Sequence, residues 1–185
     1  MRQPLTRILS LVLAGAALSI APPAAAQDVS IPSLKAAFLA NFAKFAEWPD
    51  DAVPPGRVFT FCVAGDKTVA SALERDIKLH PGPGPVNVAF VTVDGPLRSC
   101  QLLYLGGLDL RQSGRVIEAL KGAPVFTVGD VSGFAELGGV AQLRLENGRM
   151  RFAINPAAAQ RAHLALSAKL LSLATLVKDG SDATR

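Results

Sequence analysis

The chain is predicted to fold as a single α/β domain, a mostly parallel sheet flanked by helices, with a C-terminal β-hairpin and a final helix. Two patterns predict it. Short apolar runs alternate with helical stretches through the middle of the chain, and Asn147-Gly148 stands between two alternating segments near its end. The first pattern implies parallel strands with helices packed on both faces, in Rossmann-like or flavodoxin-like layers. The second is the strongest short-range hairpin signal. Length and composition agree: 185 residues, 50% hydrophobic and 18% charged, suit one compact domain and are too apolar for a disordered chain.

The N-terminus reads as a secretory leader. Arg2 and Arg7 precede an apolar stretch from Ile8 to Ile20, followed by Pro22, Pro23 and the small residues Ala24, Ala25 and Ala26. The apolar stretch reaches about 20 Å as a helix, short of the roughly 30 Å hydrocarbon core, so a leader fits better than a membrane anchor. Cleavage is expected after Ala26, leaving residues 27–185 as the exported domain in the periplasm. Its loss takes Arg2 and Arg7 away and leaves 17 basic against 15 acidic residues, a net charge of +2. With no run of Lys or Arg, the pI of about 9.4 gives no support to a nucleic-acid partner.

Export gives meaning to the two cysteines. Cys62 and Cys100 are an even pair in an oxidising compartment, for which a structural disulfide is the default. A redox switch and a metal pair are the alternatives, although no Cys or His stands close enough in sequence to complete a zinc site.

Each element has its own signals. Ser30 to Pro49 reads as the first helix, with Pro32 in its first turn and a stripe of Leu34, Phe38, Phe42, Phe45 and Trp48. Asn41 shares that stripe and is expected either to hold the helix to a strand through buried hydrogen bonds or to touch a ligand. After a connector at Val53-Pro54-Pro55-Gly56, strands are expected at Val58–Ala64, Val86–Val93, Leu102–Leu105 and Pro124–Val128. Helices are expected at Thr68–Ile77 and Gln112–Leu120. Val140–Leu145 and Arg149–Ile154 form the hairpin, and a helix from Pro156 to about Lys178 ends the chain before a polar tail.

Three strand ends carry Gly and Asp together: Gly65-Asp66, Gly106-Gly107-Leu108-Asp109 and Gly129-Asp130. In a parallel sheet all three lie along the carboxyl edge, where open α/β folds bind ligands. Asp66, Asp109, Asp130 and Asn41 are therefore the ligand-pocket candidates. The plainer reading is that each Asp caps the next helix. Nucleotide motifs are missing: Gly65-Asp66-Lys67-Thr68 lacks the order and upstream glycine of a P-loop, and no Gly-x-Gly-x-x-Gly follows the first strand. Neither His80 nor His163 neighbours a Ser or Cys in a nucleophile context, so no catalytic residue, metal or cofactor is expected.

On one continuous final helix, Leu166, Leu170, Leu173 and Val177 would cluster opposite Leu164, Ala168, Leu171 and Thr175. A helix apolar on two faces must bury both. The first four residues are the partner-interface candidates, with the sheet and first helix as the alternative cover.

These residues together resemble the periplasmic YfiR-like family, the DUF4154 domain, over about Leu34 to Val177. The resemblance rests on Phe38-Leu39-Ala40-Asn41-Phe42-Ala43-Lys44-Phe45 ending in Glu47-Trp48-Pro49, on Phe61 to Asp66, and on Cys100 with Tyr104-Leu105-Gly106. It continues through Val125 to Asp130, Gly133-Phe134, Gly138-Gly139, Arg151 to Asn155 and Ala168 to Ala174. The resemblance implies a periplasmic α/β regulator, not an enzyme, that represses an inner-membrane diguanylate cyclase, or acts on another membrane signalling protein. Repression would lower cyclic di-GMP and biofilm formation. It further implies possible homodimers, an outer-membrane lipoprotein as sequestering partner, and a disulfide between Cys62 and Cys100. The second Cys pair of some members is missing here. The competing reading is a periplasmic small-molecule sensor or carrier that uses the carboxyl-edge pocket.

Overall fold

A computed structural model describes residues 30–180 except Pro55; the predicted leader and the end of the polar tail lie outside the described residues. Helix α1 (Ile31–Lys44) begins at the Ser30 cap, whose hydroxyl accepts from the Ser33 N–H at 3.3 Å. It stops five residues before Pro49, because the following β1 (Ala46–Glu47) is drawn into an antiparallel pair with β8 (Ala165–Leu166). The buried stripe of α1 runs through Ala36, Leu39 and Phe42, about a third of a turn from the predicted one. The alanines let α1 approach the sheet, while Phe38 sits at its flank against Phe152, with ring centroids 5.7 Å apart. This rotation corrects the expectation for Asn41, which is exposed.

The central elements follow the predicted order: β2 (Phe59–Ala64), α2 (Lys67–Leu79), β3 (Val86–Val91), β4 (Leu102–Leu105), α3 (Leu110–Ala119) and β5 (Phe126–Gly129). Next come β6 (Ala141–Glu146) and β7 (Arg149–Ile154), joined by Asn147 and Gly148 with φ of 50° and 73°, the positive values that a two-residue type I′ turn requires. The sheet order is β3-β2-β4-β5-β6-β7-β9, where β9 is Thr175–Leu176. The first five strands in that order are parallel, β7 runs antiparallel to β6, and β9 lies parallel to β7.

Side chains alternate between two cores. Phe61, Val63, Leu102, Tyr104, Phe126 and Val128 face α1 and α2, where the Phe42 ring stacks on Phe126 at 5.6 Å. Cys62, Ala64, Leu103 and Leu105 face α3 through Val116 and Leu120. Phe134, in the loop after β5, completes this second core. Its ring is fully buried against Gly129 and Gly139, and a Cβ at either glycine would overlap it. Cys62 and Cys100 are bonded, with Cα atoms 5.8 Å apart, and both are buried in this core.

The predicted final helix is a correction. Only α4 (Pro156–Arg161) and α5 (Ala168–Leu173) are helical; between them His163 takes a φ of 56° and β8 pairs with β1. Breaking the helix resolves the conflict of its two apolar faces. Leu164 and Leu170 enter the first core, and Thr175–Leu176 turns outward to pair with β7. Asn155 and Ser167, each accepting a backbone N–H three residues on, cap the two short helices.

Candidate functional site

The strand order places a topological switch point between β2 and β4. From β2 the chain crosses outward to β3, and from β4 it crosses the other way to β5. Ligands in open α/β folds bind in the crevice at the carboxyl ends beside such a point. Here the crevice is closed by backbone. The Gly106 N–H donates to the Ala64 carbonyl at 2.9 Å, and Gly65, at a φ of 84°, lies so close to the Gly106 carbonyl that any Cβ would overlap it.

The three aspartates along this edge have different tasks. Asp66 caps α2, accepting from the Thr68 and Val69 N–H groups at 3.0 and 3.3 Å and from the Thr68 hydroxyl at 2.6 Å. Asp109 forms a capping box with Gln112 at the start of α3. Asp130 caps nothing. Its carboxylate accepts from Lys35 Nζ at 2.6 Å, the Tyr104 hydroxyl at 2.7 Å and the Gly107 N–H at 3.3 Å, tying α1, β4 and the loop after β4 to the end of β5.

Burial pushes the Asp130 carboxyl up, but the hydrogen bonds from Lys35 and Tyr104, the Lys35 charge and the Gly107 N–H together outweigh it. The carboxyl is held below the usual range and stays ionised. Tyr104 moves the other way: burial first, then the charge of Asp130 and the hydrogen bond to it, then the charge of Asp66, raise its phenol far above the ordinary value. The hydroxyl therefore remains a donor. A saturated carboxylate, its ammonium partner and a protonated phenol form an electrostatic clamp between α1 and the sheet, with no activated nucleophile.

Asp66 and Asp130 thus meet around Tyr104, whereas Asp109 serves α3 and Asn41 lies outside the cluster. Sequence reasoning missed Lys35 and Tyr104. The signal for Tyr104 was present: it is the one tyrosine of the chain, within an apolar run, and a buried phenol requires a partner. Nothing marked Lys35, whose partner stands 95 residues away.

Two grooves lie elsewhere. One of about 1090 Å³ runs between the 93–99 loop and α3, and one of about 520 Å³ lies beside α4 near Asp179. Neither is lined by Lys35, Asp66, Tyr104 or Asp130. Asp179 is held there by hydrogen bonds from Asn155 Nδ2 at 2.6 Å and from Arg161 Nη2 at 3.0 Å. Among the described residues no group of three or more His, Cys, Asp and Glu is placed to hold a metal ion, and no helix is long and apolar enough to cross a membrane.

The family model described as YfiR/HmsC-like, DUF4154, matches residues 32–175. The chain belongs to this family. No curated protein matches it. The YfiR/HmsC-like match spans α1 to the first residue of β9, and so includes both cores, the disulfide and the Asp130 clamp.

Several stretches that carry the YfiR-like resemblance prove to be packing devices. Trp48 Nε1 donates to the Gln101 carbonyl at 3.1 Å, and its ring meets Phe59 edge-on at 5.0 Å. Gln101 in turn accepts from the Thr60 N–H through its side chain at 2.8 Å, sealing the amino end of β2 against β4.

The partner-interface candidates do not share a face, because the helix that would align them is broken. Leu170 is 3% exposed in the core and Leu166 half-buried in β8, whereas Leu173 is 67% exposed and Val177 half-buried beyond β9. A polar residue at position 170 is therefore a change to the core, not to an interface.

Proposed function

We propose that this YfiR/HmsC-like protein is a periplasmic regulator that represses an inner-membrane diguanylate cyclase by binding the cyclase's periplasmic sensor region. Repression lowers cyclic di-GMP and restrains biofilm formation. The observation that carries this reading is the family match across 32–175. The secretory leader read in the sequence and the buried Cys62–Cys100 disulfide support an oxidising, exported setting.

Such a role requires no chemistry from the protein itself. A bound regulator shifts a receptor between two states only through its differential affinity for them, and about 3 kcal/mol of coupling changes activity about 150-fold. The capping of two carboxyl-edge aspartates, the clamping of the third and the closed switch point favour protein recognition over a buried small-molecule site. An outer-membrane lipoprotein that sequesters the repressor, and a homodimer as its working form, belong to the same reading.

Crosslinking in intact cells of the native host, followed by recovery of the protein from membranes, tests it. The expected product joins this chain to the periplasmic portion of a membrane protein that carries a diguanylate cyclase domain. Crosslinks confined to soluble periplasmic proteins, with the cyclase present, would count against it.

A further inference from the structure

The β6–β7 hairpin places two arginines where a sheet disfavours them. In the register, Arg144 lies directly opposite Arg151, and the next rung pairs Glu146 with Arg149. Directly opposed side chains in an antiparallel pair have Cβ atoms about 4.5–5.5 Å apart, at which like charges destabilise the sheet. All four residues point to one face of the hairpin. Their neighbours Leu143, Leu145, Met150 and Phe152 point to the other, where Leu143 and Phe152 belong to the first core.

The arginine face is open: Glu146, Arg149 and Arg151 are exposed. Arg144 is less so, and its Nε is buried without a hydrogen-bond partner. Glu146 Oε1 lies 3.4 Å from it, an ion-pair contact that leaves the Nε donor unused. The structure thus holds three guanidiniums against one carboxylate, a like-charge rung, and a desolvated donor. An oxyanion between Arg144 and Arg151 would offset the charge excess and the like-charge rung.

We infer that this face of the hairpin is a docking surface for an extended, acidic segment of a protein partner. Glu146 indicates the ligand class, since the group already drawn towards Arg144 is a carboxylate. The surface is strand-built, and rungs on the same face stand about 7 Å apart. That is also the spacing of alternate side chains on an extended peptide, so carboxylates at every second position would meet successive rungs. Guanidinium pairs carboxylates through two parallel N–H donors and is weakly hydrated, which suits it to protein interfaces.

The test uses the full exported protein and a fluorescein-labelled peptide of alternating glutamate and threonine, with the glutamine–threonine peptide and phosphatidylglycerol vesicles as comparisons. The acidic peptide should bind in low salt and the glutamine peptide should not. Arg144→Gln and Arg151→Gln should each weaken binding about tenfold, the worth of one charge-assisted hydrogen bond. Arg151→Gln should also leave the melting temperature unchanged or raised, since it removes the like-charge rung. Equal peptide affinity in all variants overturns the inference, as does binding to the vesicles without binding to the peptide.

Discussion

Replacing both Cys62 and Cys100 with alanine is expected to lower the unfolding free energy by about 4 kcal/mol. The bond closes a loop with a sequence separation of 38, which contains α2 and the edge strand β3. Without it, the denatured chain regains the freedom of that whole loop. For a domain of this size the loss corresponds to about 8–15 °C in melting temperature. Part of the effect is local, because both cysteines are buried beside Leu97, Leu103 and Val116. Denaturant unfolding should therefore show the double variant and the reduced wild-type protein destabilised alike, with the variant slightly worse. A loss under about 1 kcal/mol in both would mean that the denatured chain is already restrained across that loop without the bond.

Asp130→Ala should cost about 3 kcal/mol, since it strands a lysine and a phenol together. The side chains of Lys35 and Asp130 are 16% and 22% exposed, and Tyr104 is fully buried. Asp130→Asn should cost less, because the amide oxygen still accepts from one donor. The pH dependence follows from the direction of the Asp130 shift. A carboxyl whose folded value lies below its unfolded one contributes stability fully above the unfolded value, about 3.9 for Asp, and loses it as pH falls through the folded value. The gap between wild type and Asp130→Asn should therefore be constant near neutrality and shrink below about pH 4. A gap that does not change with acidification would show that Asp130 is not held ionised by Lys35 and Tyr104.

Local patterns were legible in the sequence; long-range pairings were not. The β2 and β4 strands show as short apolar runs, and the hairpin shows because Asn147-Gly148 supplies the two positive φ values its turn needs. The stretch from Pro156 to Lys178 misled because its Ala, Leu and Lys favour helix at every step, while the breaks are imposed by pairing of Leu166 with Ala46 and of Thr175 with Ala153. Its capping residues, Asn155 and Ser167, were visible but have no force until those partners are known. Asn41 misled for a related reason. The aromatic residues of α1 suggested its buried side, yet the small Ala36 and the neighbouring Leu39 face the sheet. At the carboxyl edge, the capping role of Asp66 and Asp109 could be read from position alone. The Asp130 clamp could not, since Lys35 and Tyr104 reach it from other elements.

The proposed repression is read out by the intracellular level of cyclic di-GMP. In cells that hold the cognate membrane cyclase, producing the full chain should lower cyclic di-GMP. The chain without residues 1–26, or the full chain in cells lacking that cyclase, should leave the level unchanged. An unchanged level with the exported protein present and crosslinked to the cyclase would rule out repression.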